Sequence, residues 1–360
     1  MTKNSIMEIA EFDAAIDWQA THAAENDAPC TARVIRALGK VRLTDTRLGH
    51  RMFNWPGLTL KDAMPLRVTG GLHYLSLSGR DERLQRVYAG EITDQNAVDA
   101  LVLAMVEEHD ADLLPWLDRP PQTNEAGRSA SIMAGLLWLA QHVVPRFELL
   151  ELGASAGINT MIDRYFYELG GVSVGPAASP MQIRPEWRGK GSPPAPPEGF
   201  AITGVRGCDV APIDLSDPRA ALRLKAYVWP DAPARLERID AAIQLAAQSA
   251  PDVVKADAAE FIEAALAKSQ EPGTTRAIFH SIMWQYMPAQ TQDQITKLFA
   301  DYGARATADK PLAWVSLETD PATFRHELKV RLLGQHCRGR GAAPVGPRSP
   351  SWCVDRVGLA

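Results

Sequence analysis

The chain has 360 residues, of which 46% are hydrophobic and 22% charged, and its formal net charge at pH 7 is −5. These values are typical of a globular protein with a sizeable core, and the mild acidity argues against a nucleic-acid partner, which attracts basic surfaces. The four cysteines and eight histidines show no metal-ligand spacing. The start of the chain lacks a signal-peptide pattern, and the most apolar segment, 132–144, is too short to cross a bilayer. We therefore expect a cytoplasmic protein with no metal and no membrane partner.

Residues 1–145 are predicted to form an all-helical region. Apolar residues recur there at the three- and four-residue spacing of an amphipathic helix. The segments with this spacing are 6–24, 30–38, 65–77, 94–110 and 129–143. A polar loop, residues 120–128, lies between the last two helices and leads toward the next region.

The pattern changes at residue 146, and residues 146–360 are predicted to form an α/β domain. Short apolar runs now alternate with helical patterns, which predicts a mostly parallel sheet with helices on both faces. Two late runs have too little sequence between them for a crossover helix, so they predict an antiparallel pair at the C-terminal end of the sheet. A Gly- and Pro-rich stretch at about 170–200 is predicted to be an irregular insertion. The predicted strands are 147–152, 201–208, 253–256, 276–282, 312–317, 326–333 and 352–357.

The first predicted strand ends in a loop of small residues, Gly153-Ala154-Ser155-Ala156-Gly157. A helical pattern, 158–169, follows it. A strand, a tight glycine turn and a helix bring backbone N–H groups and a helix N-terminus up to a ligand. In a parallel sheet, ligands bind at the carboxyl ends of the strands, where this loop lies. Glu151 before the loop and Asn159 after it are candidate hydrogen-bonding partners of that ligand.

Polar residues also follow the next three predicted strands. Asp209 ends the second strand, where a carboxylate commonly accepts hydrogen bonds from the ribose hydroxyls of an adenosine. Asp257 follows the third strand and could accept from an adenine amino group. His280 ends the fourth strand as a candidate general base, and Tyr286 is a candidate wall of the acceptor site. The alternative for each of the last two is a structural role in the core.

The polar loop before the first strand contains Gln122-Thr-Asn-Glu125 and Arg128. One interpretation is a helix start, capped by Thr123 or Asn124. The other is that Asn124, Glu125 and Arg128 face the ligand, because such polar side chains are costly to bury without a partner.

This order of motifs resembles that of the class I S-adenosylmethionine-dependent methyltransferases. Their acidic-x-Gly-x-Gly-x-Gly motif follows the first strand, acidic residues follow the second and third, and an antiparallel pair ends the sheet. The segment from Glu151 to Gly157 matches in part, with Ser155 at the middle glycine. The resemblance implies a Rossmann-like methyltransferase-type sheet and methyl transfer to a small molecule near His280 and Tyr286. The cofactor, S-adenosylmethionine, would contact Glu151, Gly153, Ala154, Ser155, Gly157, Asn159, Asp209, Asp257, Asn124 and Arg128.

The same loop also spells G-x-S-x-G, the pattern of a hydrolase nucleophile elbow. In that alternative Ser155 is the nucleophile, and Asp209 or Asp257 with His280 completes a triad. Two observations weigh against it: strand patterns are almost absent before residue 147, and an oxyanion loop of His-Gly-Gly type is missing. A third alternative is a nucleotide- or metabolite-binding protein without turnover.

Several segments together resemble one bacterial family, domain of unknown function 2332. Because that family is uncharacterised, the resemblance implies a shared architecture and not an activity. The segments are Gln122-Thr-Asn-Glu125 with Arg128, Glu151-x-Gly-Ala-Ser-Ala-Gly-x-Asn159, Asp163-Arg-Tyr165, Gly207-Cys-Asp209 with Pro212-Ile-Asp214, Trp229-Pro-Asp231 with Arg235 and Arg238, and His280-Ser281 with Trp284-Gln-Tyr286.

Overall fold

The structure, a computed structural model, describes residues 9–188, 191–320, 323, 325–333 and 353–357. The chain divides into two compact units. The helical unit contains residues up to Thr123 together with Asp217–Ile239, and the sheet unit contains Asn124–Ser216 together with the residues from Asp240 onward. This division differs from the predicted boundary at residue 145 in two places. Residues 124–145 belong to the sheet unit. The segment Asp217–Ile239, between the predicted strands 201–208 and 253–256, belongs to the helical unit.

Five of the α-helices, which begin at Phe12, Pro29, Met64, Gln95 and Ser129, lie close to the segments predicted from apolar spacing. Along the chain they are α1 (Phe12–Glu25), α2 (Pro29–Leu38), α3 (Arg47–Phe53), α4 (Met64–Leu77), α5 (Gln85–Tyr88), α6 (Gln95–Glu108), α7 (Asp110–Leu113), α8 (Ser129–Leu139), α9 (Pro218–Ala226), α10 (Pro233–Gln248), α11 (Ala258–Ala267) and α12 (Ala289–Gly303). From residue 9 to Thr123 the structure contains helices and turns and no strand. Among the helices of the described ranges, none is both long enough and apolar enough to cross a membrane.

Capping side chains fix the starts of some helices in the helical unit. Asp94 precedes α6 and accepts a hydrogen bond from Ala97 N at 2.9 Å. Helix α2 is capped from a distant part of the chain, because the carboxylate of Asp231 accepts from the N–H groups of Cys30 and Thr31 at 2.8 Å each. The Trp-Pro-Asp segment therefore ties the two sequence pieces of this unit together.

The strands form one large sheet and one small one. They are β1 (Arg146–Leu152), β2 (Phe166–Leu169), β3 (Val172–Val174), β4 (Gln182–Ile183), β5 (Ala201–Asp209), β6 (Val253–Lys255), β7 (Thr275–Ser281), β8 (Leu312–Thr319), β9 (His326–Leu333) and β10 (Cys353–Val357). The large sheet has the order β10-β9-β8-β7-β1-β5-β6. Strands β6, β5, β1, β7 and β8 are parallel, while β9 is antiparallel to β8 and β10 to β9. The predicted mostly parallel sheet with a C-terminal antiparallel pair is confirmed.

The chain reverses its direction across the sheet between β1 and β7. It runs outward from β1 through β5 to the edge strand β6, and then returns to build β7 on the other side of β1. Strands β1 and β7 are buried along almost their whole length, as expected for parallel strands covered on both faces. In open α/β sheets the crevice outside the carboxyl ends at such a reversal point is the usual ligand site.

Helices cover both faces of the large sheet. On one face, Phe261 of α11 and Phe299 of α12 join a core with Leu150, Ile278 and Trp314. On the other face α8 approaches closely at Gly135. A Cβ there would lie 3.2 Å from the side chains of Val315 and Val330.

The predicted helix 158–169 is wrong. The structure has a short 3-10 helix, Asn159–Arg164, followed by β2, which pairs with β3 and β4 in the three-stranded sheet. The missed signal is a two-residue alternation, because Tyr165, Tyr167 and Leu169 are all fully buried. The predicted irregular insertion therefore contains regular structure, and the loop after β1 has no long helix behind it.

Candidate functional site

Glu151 lies at the end of β1 and is only 1% exposed. Its Oε2 accepts a hydrogen bond from Thr160 Oγ1 at 2.8 Å. Burial away from water raises the pKa of Glu151 to about 8; the Thr160 hydrogen bond and the charge of Arg128 oppose this, and the charge of Asp209 adds to it. The carboxyl group is therefore largely protonated at neutral pH and can either donate or accept a hydrogen bond.

The loop after β1 is a tight turn with three left-handed residues. Gly153, Ser155 and Gly157 have φ values of +66°, +53° and +73°. A Cβ at Gly157 would lie 2.7 Å from Pro251 and Val253, so this glycine is required for packing against the start of β6. A Cβ at Gly153 would instead meet the flexible side chain of Met283 at 2.9 Å. Gly153 is thus the position where a ligand could approach the backbone once that side chain moves.

Asp209 holds the loop in place. Its Oδ2 accepts from Ser155 N and its Oδ1 from Ala211 N, both at 2.8 Å. Ile213 N donates to the carbonyl oxygen of Ser155 at 3.1 Å, which fixes the same residue from its other side. Each carboxylate oxygen keeps a further lone pair, so Asp209 can still accept from a ligand hydroxyl.

Asn124 bridges the two ends of the loop. Its Nδ2 donates to Ala154 O at 3.3 Å, and its Oδ1 accepts from Ile158 N at 2.9 Å. Asn124 is 7% exposed, so its amide supports the loop from inside. Glu125 accepts from Gly127 N at 2.9 Å and caps a short 3-10 helix. The segment is therefore a helix start, but its cap is Glu125 and not Thr123 or Asn124.

Three side chains at the carboxyl ends of β1 and β7 have buried polar atoms without a hydrogen-bond partner in the described structure. They are Ser155 (Oγ), Asn159 (both amide atoms) and His280 (Nε2). Leaving a buried polar atom unpaired costs about 1–3 kcal/mol. Asn159 is 1% exposed and adjoins Thr160, the partner of Glu151. Such atoms are uncommon in a native fold, and a polar ligand is one explanation of them.

His280 is at the end of β7, next to Phe279, which pairs with Glu151 across the sheet. Its Nδ1 lies 2.7 Å from Oε1 of Glu318 at the end of β8. Sequence reasoning missed Glu318, because the predicted strand ended at Leu317. The available signal was an acidic residue at a strand end, the same pattern that pointed to Asp209.

Two predicted site residues have other surroundings than expected. Asp257 caps α11, since its Oδ1 accepts from Ala259 N at 2.8 Å and from Glu260 N at 3.4 Å. Tyr286 lies in a 3-10 turn and is 76% exposed, whereas His280 is 1% exposed. The two residues predicted to face the acceptor therefore do not line one cavity wall.

The predicted hydrolase triad is not assembled. In the described ranges no hydrogen bond joins Ser155 Oγ to a histidine, and His280 pairs with Glu318. The carboxylates of Asp209 and Asp257 are hydrogen-bonded to backbone N–H groups. Ser155 does have the left-handed backbone of a strained turn, which is a feature of nucleophile elbows.

A cluster in the helical unit resembles a metal site in composition. One ligand atom each from Asp81, Glu108 and His109 lies within 4.8 Å of the others. Arg83 already supplies the positive charge, since its Nε lies 2.9 Å from Asp81 Oδ1 and its Nη2 2.6 Å from Glu108 Oε2. The cluster is therefore explained as an ion-pair network.

The comparisons with known proteins found a family without an assigned activity. A family model described as an uncharacterized protein conserved in bacteria (DUF2332) matches residues 13–346. Neither the curated proteins nor the solved structures gave a significant match.

Proposed function

Since the chain belongs to DUF2332, a family of uncharacterised bacterial proteins, we propose its function from the geometry of the sheet unit. The proposed function is methyl transfer from S-adenosylmethionine to a small molecule, with the cofactor at the carboxyl ends of β1, β5 and β7. The cofactor supplies the methyl group on a positively charged sulfur. The observation that carries the proposal is the set of buried, unpaired polar atoms of Ser155, Asn159 and His280 around the reversal point of the sheet.

The strand order supports an adenosine ligand. Strands β6, β5, β1, β7 and β8 are the third, second, first, fourth and fifth strands of the large sheet along the chain. This order is that of dinucleotide-binding sheets, which bind their ligand beside the first strand. Asp209, at the end of β5, is in the place where such sheets hold the ribose.

The missing helix favours a ligand without phosphate. Phosphate-binding loops rely on the N–H groups and dipole of a long helix. Here the loop leads into a six-residue 3-10 helix that is kinked at Met161. S-adenosylmethionine has an adenosine but no phosphate, and its positively charged amino group suits Glu151, which can lose its proton when a cation binds.

Titration calorimetry tests the proposal. We expect binding of S-adenosylmethionine and S-adenosylhomocysteine, and weaker binding of ADP, which offers adenosine with phosphates. Asp209→Asn should weaken binding about tenfold or more. The asparagine amide has only one oxygen, so it cannot accept from both Ser155 N and Ala211 N as the carboxylate does. The control Asp252→Asn changes an aspartate that pairs with Arg206 before β6, and it should bind as the wild type does. No binding of either methionine compound, or preferential binding of ADP, would reject the proposal.

A serine hydrolase is the second candidate, favoured by the left-handed backbone and unpaired hydroxyl of Ser155. It predicts that a fluorophosphonate labels the protein and that Ser155→Ala abolishes labelling. Methyl transfer predicts no labelling at this residue. Cofactor binding without transfer to any acceptor would instead support a protein that binds the metabolite without turnover.

A further inference from the structure

His280 and Glu318 form a buried pair at the carboxyl ends of β7 and β8. Because a carboxylate only accepts, the 2.7 Å contact places a hydrogen on Nδ1, so that in the neutral form of the imidazole the lone pair is on Nε2. Nε2 is buried and lacks a hydrogen-bond partner in the part of the chain that the structure describes. Nε2 of His280 is therefore a basic nitrogen that is buried and available to accept a proton.

Glu318 also fixes the turn that follows β7. Its Oε1 accepts from Met283 N at 3.1 Å and from Trp284 N at 3.2 Å. The residue before them, Ile282, has a φ of +51°, which is rare for a β-branched residue. Backbone strain of this kind is concentrated at functional sites. The Glu318 carboxylate therefore orients the imidazole of His280 and also accepts hydrogen bonds from the strained turn beside it.

The surroundings of His280 are aromatic. The ring of Trp284 stacks on the imidazole, with centroids 5.1 Å apart and an interplanar angle of 22°. The ring of Trp314 lies 5.8 Å from the imidazole and 5.2 Å from Trp284. Trp284 lies in a short 3-10 turn and presents its ring beside His280, where an aromatic acceptor would pack against it.

We infer that His280 takes the proton from a phenolic methyl acceptor and that Glu318 is its positioning residue. This inference rests on the proposed methyl transfer. The phenol oxygen bonds to the methyl carbon as the carbon–sulfur bond breaks, and the phenolic proton moves to Nε2. The positive charge on sulfur is lost and an imidazolium forms, which the Glu318 carboxylate stabilises. The products are an aryl methyl ether and S-adenosylhomocysteine, and the proton then leaves to water.

A phenol suits this base better than an aliphatic alcohol does. Proton transfer is efficient when the pKa values of acid and base are close, and a phenol such as tyrosine has a pKa of about 10, far below that of an alcohol. A carboxylate acceptor has no proton to lose at neutral pH and would not need His280.

The protonation of His280 can be measured without any substrate. Nuclear magnetic resonance of protein with isotope-labelled histidine separates the two imidazole nitrogens, and the signals lost in His280→Gln assign them. We expect a protonated Nδ1 and a bare Nε2 in the wild type, a mixture of tautomers in Glu318→Ala, and recovery in Glu318→Gln, whose amide oxygen can accept. The control His142→Gln removes an imidazole that also stacks on a tryptophan, Trp138, and should leave the His280 signals unchanged. A proton on Nε2 in the wild type would overturn the inference.

The acceptor class is tested by following a labelled methyl group. We expect transfer to phenol, catechol or tyramine and not to benzoate. His280→Gln should lower kcat about 100-fold or more with little change in cofactor affinity, because general-base catalysis is worth about that much. Equal rates with benzoate, loss of less than about threefold in His280→Gln, or no transfer to any phenol despite cofactor binding would each overturn the inference. If the cofactor itself does not bind, the proposed function is rejected. The tautomer measurement still tests the pairing of His280 with Glu318 in that case.

Discussion

Two buried histidines show how differently the two units treat polar groups. His73 in the helical unit bonds through Nδ1 to Ala226 O at 3.1 Å, and burial lowers its pKa to about 4, so it is a neutral part of the core. His280 in the sheet unit pairs with a carboxylate on one side and has no partner on the other. Ser155 and Asn159, which belong to the sheet unit as well, also have buried polar atoms without a hydrogen-bond partner in the described structure. The polar atoms of His73 are thus satisfied within the core, whereas those at the strand ends of the sheet unit are the atoms that the proposed ligand would satisfy.

The largest expected effect concerns Glu151. Its pKa is raised from 4.5 to about 8, so the folded state holds its proton more tightly than the unfolded state does. The resulting stability is complete below the unfolded pKa and is lost as the pH rises through about 8, by up to about 5 kcal/mol. Glu151→Gln should remove this loss and be more stable than the wild type at about pH 9. Urea unfolding at several pH values measures the free energy of unfolding of both proteins. Equal pH dependence in the two would show that Glu151 does not have a raised pKa.

His73 should show the opposite dependence on pH. Because its pKa is lowered from 6.5 to about 4, the unfolded state binds the proton first. Stability is complete above pH 6.5 and falls by up to about 3 kcal/mol as the pH drops toward 4. His73→Gln should lose this acid sensitivity, which the same unfolding series detects. If it keeps the full sensitivity, His73 is not the residue responsible.

Two buried asparagines of the sheet unit give a matched test of pairing. Asn124 uses its amide to bridge the loop, whereas the amide of Asn159 has no partner in the described structure. Asn124→Leu should cost about 2 kcal/mol, because it leaves two loop groups unsatisfied. Asn159→Leu should be neutral or stabilising by about 1 kcal/mol, yet weaken binding of S-adenosylmethionine. Thermal unfolding measures the stability of both variants, and calorimetry measures their binding of S-adenosylmethionine. Similar losses of stability would show that the two asparagines do not differ in their hydrogen bonding.

The smallest effect compares two strained positions, one in each unit. Ala63 and Ser155 both have a φ of +53°. Replacement by glycine should stabilise the protein by about 0.5–1 kcal/mol at each position, because glycine accepts left-handed backbone without strain. Ser155→Gly should also weaken binding of S-adenosylmethionine, because it removes the buried hydroxyl that has no partner in the described structure. Loss of binding in Ser155→Gly, with Ala63→Gly unaffected, would show that the Ser155 hydroxyl contacts the ligand.

The sequence predicted the sheet well, because strands and helices follow from local apolar spacing. The parallel order and the antiparallel C-terminal pair could be inferred from the lengths between runs. The helix expected at 158–169 failed because Tyr165, Tyr167 and Leu169 are buried with the two-residue period of a strand, and two of them belong to β2 of the small sheet. The place of Asp217–Ile239 in the helical unit could not be predicted either, because contacts between distant parts of the chain determine it. The cap that Asp231 gives to α2 joins residues 200 positions apart.

Site residues were easier to locate than to assign. Glu151, Asp209 and His280 lie at the carboxyl ends of neighbouring strands, as predicted. Their partners could not be predicted, because a carboxylate that binds a ligand and one that holds a loop look alike in sequence. Glu318, 38 residues from His280, is the partner that only the folded chain reveals.

The long-range cap on α2 has a consequence for synthesis on the ribosome. Asp231 is translated 200 residues after Thr31, which at bacterial or eukaryotic rates of about 5–20 residues per second means a delay of roughly 10–40 s. During that time the first turn of α2 lacks its cap, while most of the sheet unit before Ser216 emerges. Synthesis of the helical unit begins before that of the sheet unit, but the helical unit is not complete until Asp217–Ile239 has been made. A chaperone that binds nascent chains would therefore have more time to bind the helices of this unit than to bind β1.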